Sequence, residues 1–104
     1  MTEARIILTT FPDLEKARQI GTALVERQLA ACVNLNPKAE SIYRWEGKVQ
    51  NDAEVVAIIK STSSKILELE AVLHERHPYD VPEFLVFEVE QGSEAYLKWL
   101  GESC

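Results

Sequence analysis

The chain has 104 residues and carries 17 Asp and Glu against 11 Lys and Arg, a formal net charge of −6. One domain is expected at this length, and the scattered basic residues argue against nucleic-acid binding, which needs clustered Lys and Arg. No apolar run approaches the ~20 residues of a membrane-spanning helix, and Glu3 and Arg5 stand where a secretory signal would be basic and then apolar, so a soluble cytoplasmic protein is expected.

Ala4 to Thr10 is β-branched and apolar and reads as a strand. Pro12-Asp13 then starts a helix with Asp13 as N-cap. Leu14, Ala17, Ile20, Gly21, Leu24 and Gln28 recur at helical spacing, and the helix is expected to end near Gln28 or Leu29. Ala31 to Leu35 is a second strand, which Pro37 interrupts and Ser41 to Trp45 resumes, giving one long strand bulged near Pro37. Glu46-Gly47 is a two-residue turn signal. Lys48 to Lys60 returns as the third strand, and Thr62 or Ser63 can cap a second helix with Ile66, Leu69, Val72, Leu73 and Arg76 on its inner stripe. Phe84 to Val89 reads as a fourth strand, and Ser93 can cap a short terminal helix holding Tyr96, Leu97, Trp99 and Leu100.

Between the second helix and the fourth strand lies His77-Pro78-Tyr79-Asp80-Val81-Pro82-Glu83. Each proline fixes its own φ and pushes the residue before it toward extended geometry. So stiff a loop can hold His77, Tyr79 and Glu83 in place at small entropic cost, and it reads as a presentation loop. The plainer reading is a rigid helix stop, with His77 bonded to backbone and Glu83 paired with Lys48 or Lys60. His74 reads as a solvated helix residue.

Cys32 and Cys104 make neither a disulfide framework nor a CxxC site. Cys32 lies in an apolar run and reads as a small buried hydrophobe, with a soft-metal ligand or reactive thiol as the alternative. Cys104 is expected to be mobile and exposed.

The order β-α-β, β-α-β, helix leads to an α+β, ferredoxin-like βαββαβ sandwich with a short C-terminal helix in a single domain spanning residues 1–104. The strands are apolar on both faces: Ile6 and Leu8 oppose Ile7, and Val56 and Ile58 oppose Val55, Ala57 and Ile59. Two helices cover only one face of a four-stranded sheet. An apolar second face is rare in monomers, so a homo-oligomer is expected.

Four segments, Ala31-Cys32-Val33-Asn34, Tyr43-Arg44-Trp45-Glu46-Gly47-Lys48, Ile59-Lys60-Ser61-Thr62 and His77 to Glu83, together resemble the CutA divalent-cation tolerance family. The closing Tyr96-Leu97-Lys98-Trp99-Leu100 also fits. The resemblance implies a homotrimer similar to the PII signalling proteins, with sheets facing inward and long hairpins reaching onto neighbours. Tyr43 and Trp45 would then pack across a subunit boundary or form a ligand-stacking surface. The family is linked to tolerance of copper and other divalent metals. Some members bind copper with a Cys at the end of the first strand and a His-His pair before Pro-Tyr. Here Thr9 and Arg76 occupy two of those positions and only His77 matches. A weaker copper or zinc site would use His77 with Glu83 or Asp80, and Cys32 if near.

Three functions follow as expectations. The first is a metal-responsive trimer with His77 and Glu83 as ligands and Cys32 and Tyr79 nearby. The second is a PII-like small-molecule sensor or adaptor whose intersubunit cleft is lined by Asn34, Trp45, Lys48, Lys60, Tyr79 and Glu83, the lysines suiting an anion. The third is a scaffolding trimer without a ligand. No enzyme is expected, because no Ser-His-Asp or HExxH arrangement is visible and Cys32 sits in an apolar strand. Self-association is the one partner implied.

Overall fold

Strand β1 (Ala4–Phe11) alternates its side chains strictly, burying Ile7, Thr9 and Phe11 on one face and turning Ile6, Leu8 and Thr10 to the other. The structure, a computed structural model, describes residues 2–104. Helix α1 (Leu14–Glu26) starts where expected, because the Asp13 carboxylate accepts the Lys16 N–H at 2.7 Å. It ends two residues earlier than its periodicity suggests. Gln28 takes a left-handed φ of 58° and the N–H groups of Leu29 and Ala30 fold back onto the Leu24 carbonyl. Gln28 is therefore exposed and leaves the inner stripe.

Strand β2 (Cys32–Trp45) carries the expected bulge. Its register against β3 (Lys48–Thr62) shifts between Asn36 and Ala39, around Pro37, which has no N–H to donate. At the tip Glu46 and Gly47 have φ of 50° and 78°, the pair of positive values that a two-residue hairpin turn requires. A single 3-10 turn (Ser63–Lys65) leads into α2 (Ile66–Arg76). Neither Thr62 nor Ser63 caps it by side chain; the Ser63 hydroxyl goes to the Glu3 carboxylate instead. Leu69, Val72 and Leu73 are buried as expected, but Arg76 is exposed and the next residue, His77, takes the inward position.

Strand β4 (Leu85–Glu88) pairs over four residues, fewer than the Phe84–Val89 run suggests, and Phe84 packs against the core. Helix α3 (Glu94–Glu102) is capped by Ser93, whose hydroxyl accepts the Tyr96 N–H. The sheet order is β2-β3-β1-β4, antiparallel throughout, which is the ferredoxin-like arrangement.

The core fills the face under α1 and α2, with Ile7, Phe11, Leu24, Ile59, Leu69 and Leu73 fully buried. Each contributes about 1.5–3 kcal/mol by leaving water. Gly21 lets α1 approach β2 closely, since a Cβ there would sit 3.3 Å from Val33 Cγ1. The second face is only partly covered. Leu100 of α3 closes on Ala4 and Ala31 at one end, while Ile58, Leu85 and Phe87 stay 40%, 50% and 48% exposed. Cys104 is partly buried at that end, its Sγ 3.4 Å from the Leu100 carbonyl, and not the exposed residue its terminal position suggests.

Candidate functional site

Pro78 ends α2 by holding His77 extended at φ −74° and ψ 136°. The imidazole turns inward and stacks on Phe11, with ring centroids 4.9 Å apart and planes 16° apart. Its Nε2–H donates to the Thr10 carbonyl at 2.7 Å, and its Nδ1 accepts the Tyr79 N–H at 3.1 Å. This pair of bonds fixes the neutral tautomer and occupies both nitrogens. Burial lowers the His77 pKa from its ordinary 6.5, partly offset by the bond to Thr10. His77 therefore does what the plainer sequence reading assigned to it, bonding to backbone.

Tyr79 follows from that anchorage. Its hydroxyl donates to Glu54 Oε2 at 2.8 Å. Burial and then this bond push its pKa well above the ordinary tyrosine value. Along the β2–β3 arm the Tyr43 hydroxyl donates to Asp52 Oδ2 at 2.5 Å, and that bond raises the Tyr43 pKa. Between arm and loop lies an open groove of about 430 Å³. Tyr43, Trp45 and Tyr79 line it with Glu54, Glu83, Thr10 and the stretch from Pro78 to Val81. Burial, and then the nearby Glu54 charge, raise the Glu83 pKa. Glu54 and Glu83 thus face the same space, with Asp80 also in its lining.

Of the residues singled out in the sequence, the fold brings Trp45, Tyr79 and Glu83 together here. It carries others elsewhere. Cys32 pairs with Lys60 in the sheet and Asn34 with Ile58, whereas Thr10, the partner of His77, pairs with Val56. Four residues of β3 separate Lys60 from Val56, roughly 13 Å along the strand. Cys32 is partly buried with its Sγ 3.7 Å from Asn34 Oδ1. Lys60 reaches over the Tyr96 ring at 5.7 Å, and Lys48 is exposed at the arm tip. Glu83 pairs with neither lysine; the one contact at ion-pair distance among the described residues joins the His74 ring to Glu70 at 3.8 Å. His77, Glu83 and Cys32 do not converge, and among the described residues no group of three His, Cys, Asp or Glu side chains is placed to hold a metal ion. Glu54 and Thr10 were not legible as site residues. Glu54 closes an acidic stretch before an apolar run, and only alternation along β3 hints that it shares a face with Ile58 and Lys60.

The family model for the CutA1 divalent ion tolerance protein matches residues 5–103, and the chain belongs to that family. It is 45% identical over 103 residues to the divalent-cation tolerance protein CutA of Pectobacterium atrosepticum, covering 99% of this chain and 94% of that protein. It is 46% identical over 93 residues to the CutA homolog of Xenopus laevis, covering 89% of this chain. It spans only 62% of that relative's length. The fold matches the solved divalent cation tolerance protein of Thermus thermophilus with a TM-score of 0.93 at 42% identity, covering 96% of this chain and 97% of that one. No helix of the described residues is long and apolar enough to cross a membrane.

Proposed function

We propose that the protein is a cytoplasmic, homotrimeric divalent-cation tolerance protein that binds copper or zinc weakly at a cleft completed by a neighbouring subunit. The observation that carries the metal reading is the pair Glu54 and Glu83. Their mutual repulsion favours a doubly charged cation between them. Two carboxylates are half of a weak oxygen site, which water, Asp80 or a neighbouring subunit's donors would complete. His77 fits poorly as a first ligand, because coordination through Nδ1 requires release of the Tyr79 N–H. Cys32 lies too far along the sheet to join it. Trimer formation is supported by the open sheet face, where Ile58, Leu85 and Phe87 are 40–50% exposed. It is supported too by the arm, where Ile42 and Val49 are 66% and 68% exposed.

The test is calorimetric titration of copper(II) and zinc(II) into the protein and its Glu83→Gln and His77→Ala variants, with mass measured by light scattering. One metal per trimeric subunit, lost in Glu83→Gln, is the expected result. A monomer at micromolar concentration removes the intersubunit cleft. A trimer that takes up no metal leaves the tolerance role indirect.

A PII-like small-molecule sensor is the second reading, and the aromatic lining of the groove favours it. Neither Lys48 nor Lys60 lines the groove of a single subunit, so the anion reading needs lysines brought from a neighbour. No catalytic role is proposed.

A further inference from the structure

We propose that the groove between the β2–β3 arm and the 77–83 loop is a binding site for an organic cation with an apolar body, such as an arylalkyl amine. The inference rests on the small-molecule reading above and names its ligand class. Tyr43, Trp45 and Tyr79 line a groove of about 430 Å³, enough for a molecule of this size. Carboxylates alone would be an ordinary solvated patch. Here they share the space with three aromatic rings, which attract a cation through their faces as a carboxylate does through its charge.

The rings are also held. The hydroxyls of Tyr79 and Tyr43 are tied to Glu54 and Asp52, so both phenols are fixed by their polar edges. His77 locks the backbone N–H of Tyr79, and the prolines on either side stiffen the loop. The wall is therefore preorganised, and a ligand orders little on binding. Pro78 and Val81 supply apolar contact for the ligand's body.

The charge balance selects the sign. Glu54 and Glu83 lie within mutual electrostatic reach, and no Lys or Arg lines the groove among the described residues. An anion would meet three carboxylates, since Asp80 lines the groove with Glu54 and Glu83, and no compensating cation from this chain. A neutral ligand would leave their repulsion in place. A cation relieves it and returns the Glu83 carboxyl toward its ordinary acidity, so binding should strengthen as pH rises through the raised Glu83 value.

The experiment titrates 2-phenylethylamine, 2-phenylethanol and 3-phenylpropionate into the full-length protein in its native assembly at pH 7.5, following heat and tryptophan fluorescence. The expected result is saturable binding of the amine at one per subunit, at least roughly tenfold tighter than the alcohol, with the carboxylate weakest. Glu83→Gln and Trp45→Leu should each weaken the amine by roughly threefold to thirtyfold. Trp45→Leu keeps apolar bulk but removes the ring, and the unchanged mass and circular dichroism of both variants guard against misfolding. Alcohol or carboxylate bound as tightly as the amine overturns the cation assignment while leaving the sensor reading standing. Amine binding indifferent to both substitutions overturns the site. Binding of none of the three, as when a neighbouring copy fills the groove, overturns both.

Discussion

The Tyr79 hydroxyl donates to a Glu54 carboxylate oxygen 2.8 Å away, and this bond ties the 77–83 loop to β3. Hydrogen bonds to charged groups contribute about 1.5–3 kcal/mol, less where water competes. Tyr79→Phe should cost roughly 1–2 kcal/mol in urea unfolding. It should also remove the more strongly raised of the two perturbed tyrosine transitions in an alkaline absorbance titration, leaving that of Tyr43. If the variant loses only an ordinary tyrosine transition and unfolds at the parent's urea midpoint, neither the burial nor the bond holds in solution.

His77 makes folding sensitive to acid. Its folded pKa lies below the ordinary 6.5 because burial disfavours the charged ring. Its contribution is fully present above 6.5. As pH falls from there through the lowered folded value, the unfolded chain takes up a proton that the folded chain resists, and stability is lost. His77→Phe keeps a ring against Phe11 but leaves the Thr10 carbonyl and Tyr79 N–H without their partner, at a cost of roughly 2–4 kcal/mol. Urea midpoints measured at pH 5 to 7.5 should slope less in the variant over that window.

Glu83 acts with the opposite sign. Burial and Glu54 raise its pKa above 4.5 in the folded chain. Its contribution is fully present below 4.5 and declines as pH rises through the raised value, where the folded state must give up a proton it holds more tightly. Glu83→Gln should therefore melt slightly higher than the parent at pH 7 and show no such gain at pH 4. Thermal scans at the two values check this, and a lower melting temperature at pH 7 would show that Glu83 is stabilised by a partner.

Thr9 is fully buried on the helix-facing side of β1, and its Oγ1 has no hydrogen-bond partner among the described residues. An unsatisfied buried hydroxyl is costly, and valine has nearly the same shape. Thr9→Val should stabilise the fold by about 1 kcal/mol, whereas Thr9→Ser should destabilise it by deleting a packed methyl. Chemical denaturation of the pair decides between this account and a bridging water.

Gln28 holds a φ of 58° after α1, where a side chain is strained and glycine is not. Gln28→Gly should gain roughly 0.5–1 kcal/mol by relieving that strain. Its side chain is exposed, so no packing is lost. A destabilised variant would mean that the entropy of the unfolded glycine outweighs the relief.

Much of the fold could be read from short stretches. Asp13 and Ser93 cap the helices they precede, Glu46-Gly47 turns the hairpin, and Pro37 marks the bulge. These features depend on φ, ψ and hydrogen bonds within a few residues. The candidate site was harder. Trp45, Tyr79 and Glu83 were singled out and do meet, but Asn34, Cys32 and Lys60 collect at the other end of the open sheet face. Thr62 and Ser63 looked like caps, yet a 3-10 turn intervened and the Ser63 hydroxyl found Glu3 instead.

The sequence by itself determined the order of elements, the stiffness of the 77–83 loop and the apolar character of both sheet faces, because periodicity and proline geometry act locally. Only the tertiary structure decided that His77 spends both nitrogens on backbone, one of them on Thr10, 67 residues away in sequence. It alone set Glu54 under Tyr79 and opposite Glu83. Those meetings depend on strand register and on where the bulged arm lies. A shift of one residue would turn each side chain to the other face.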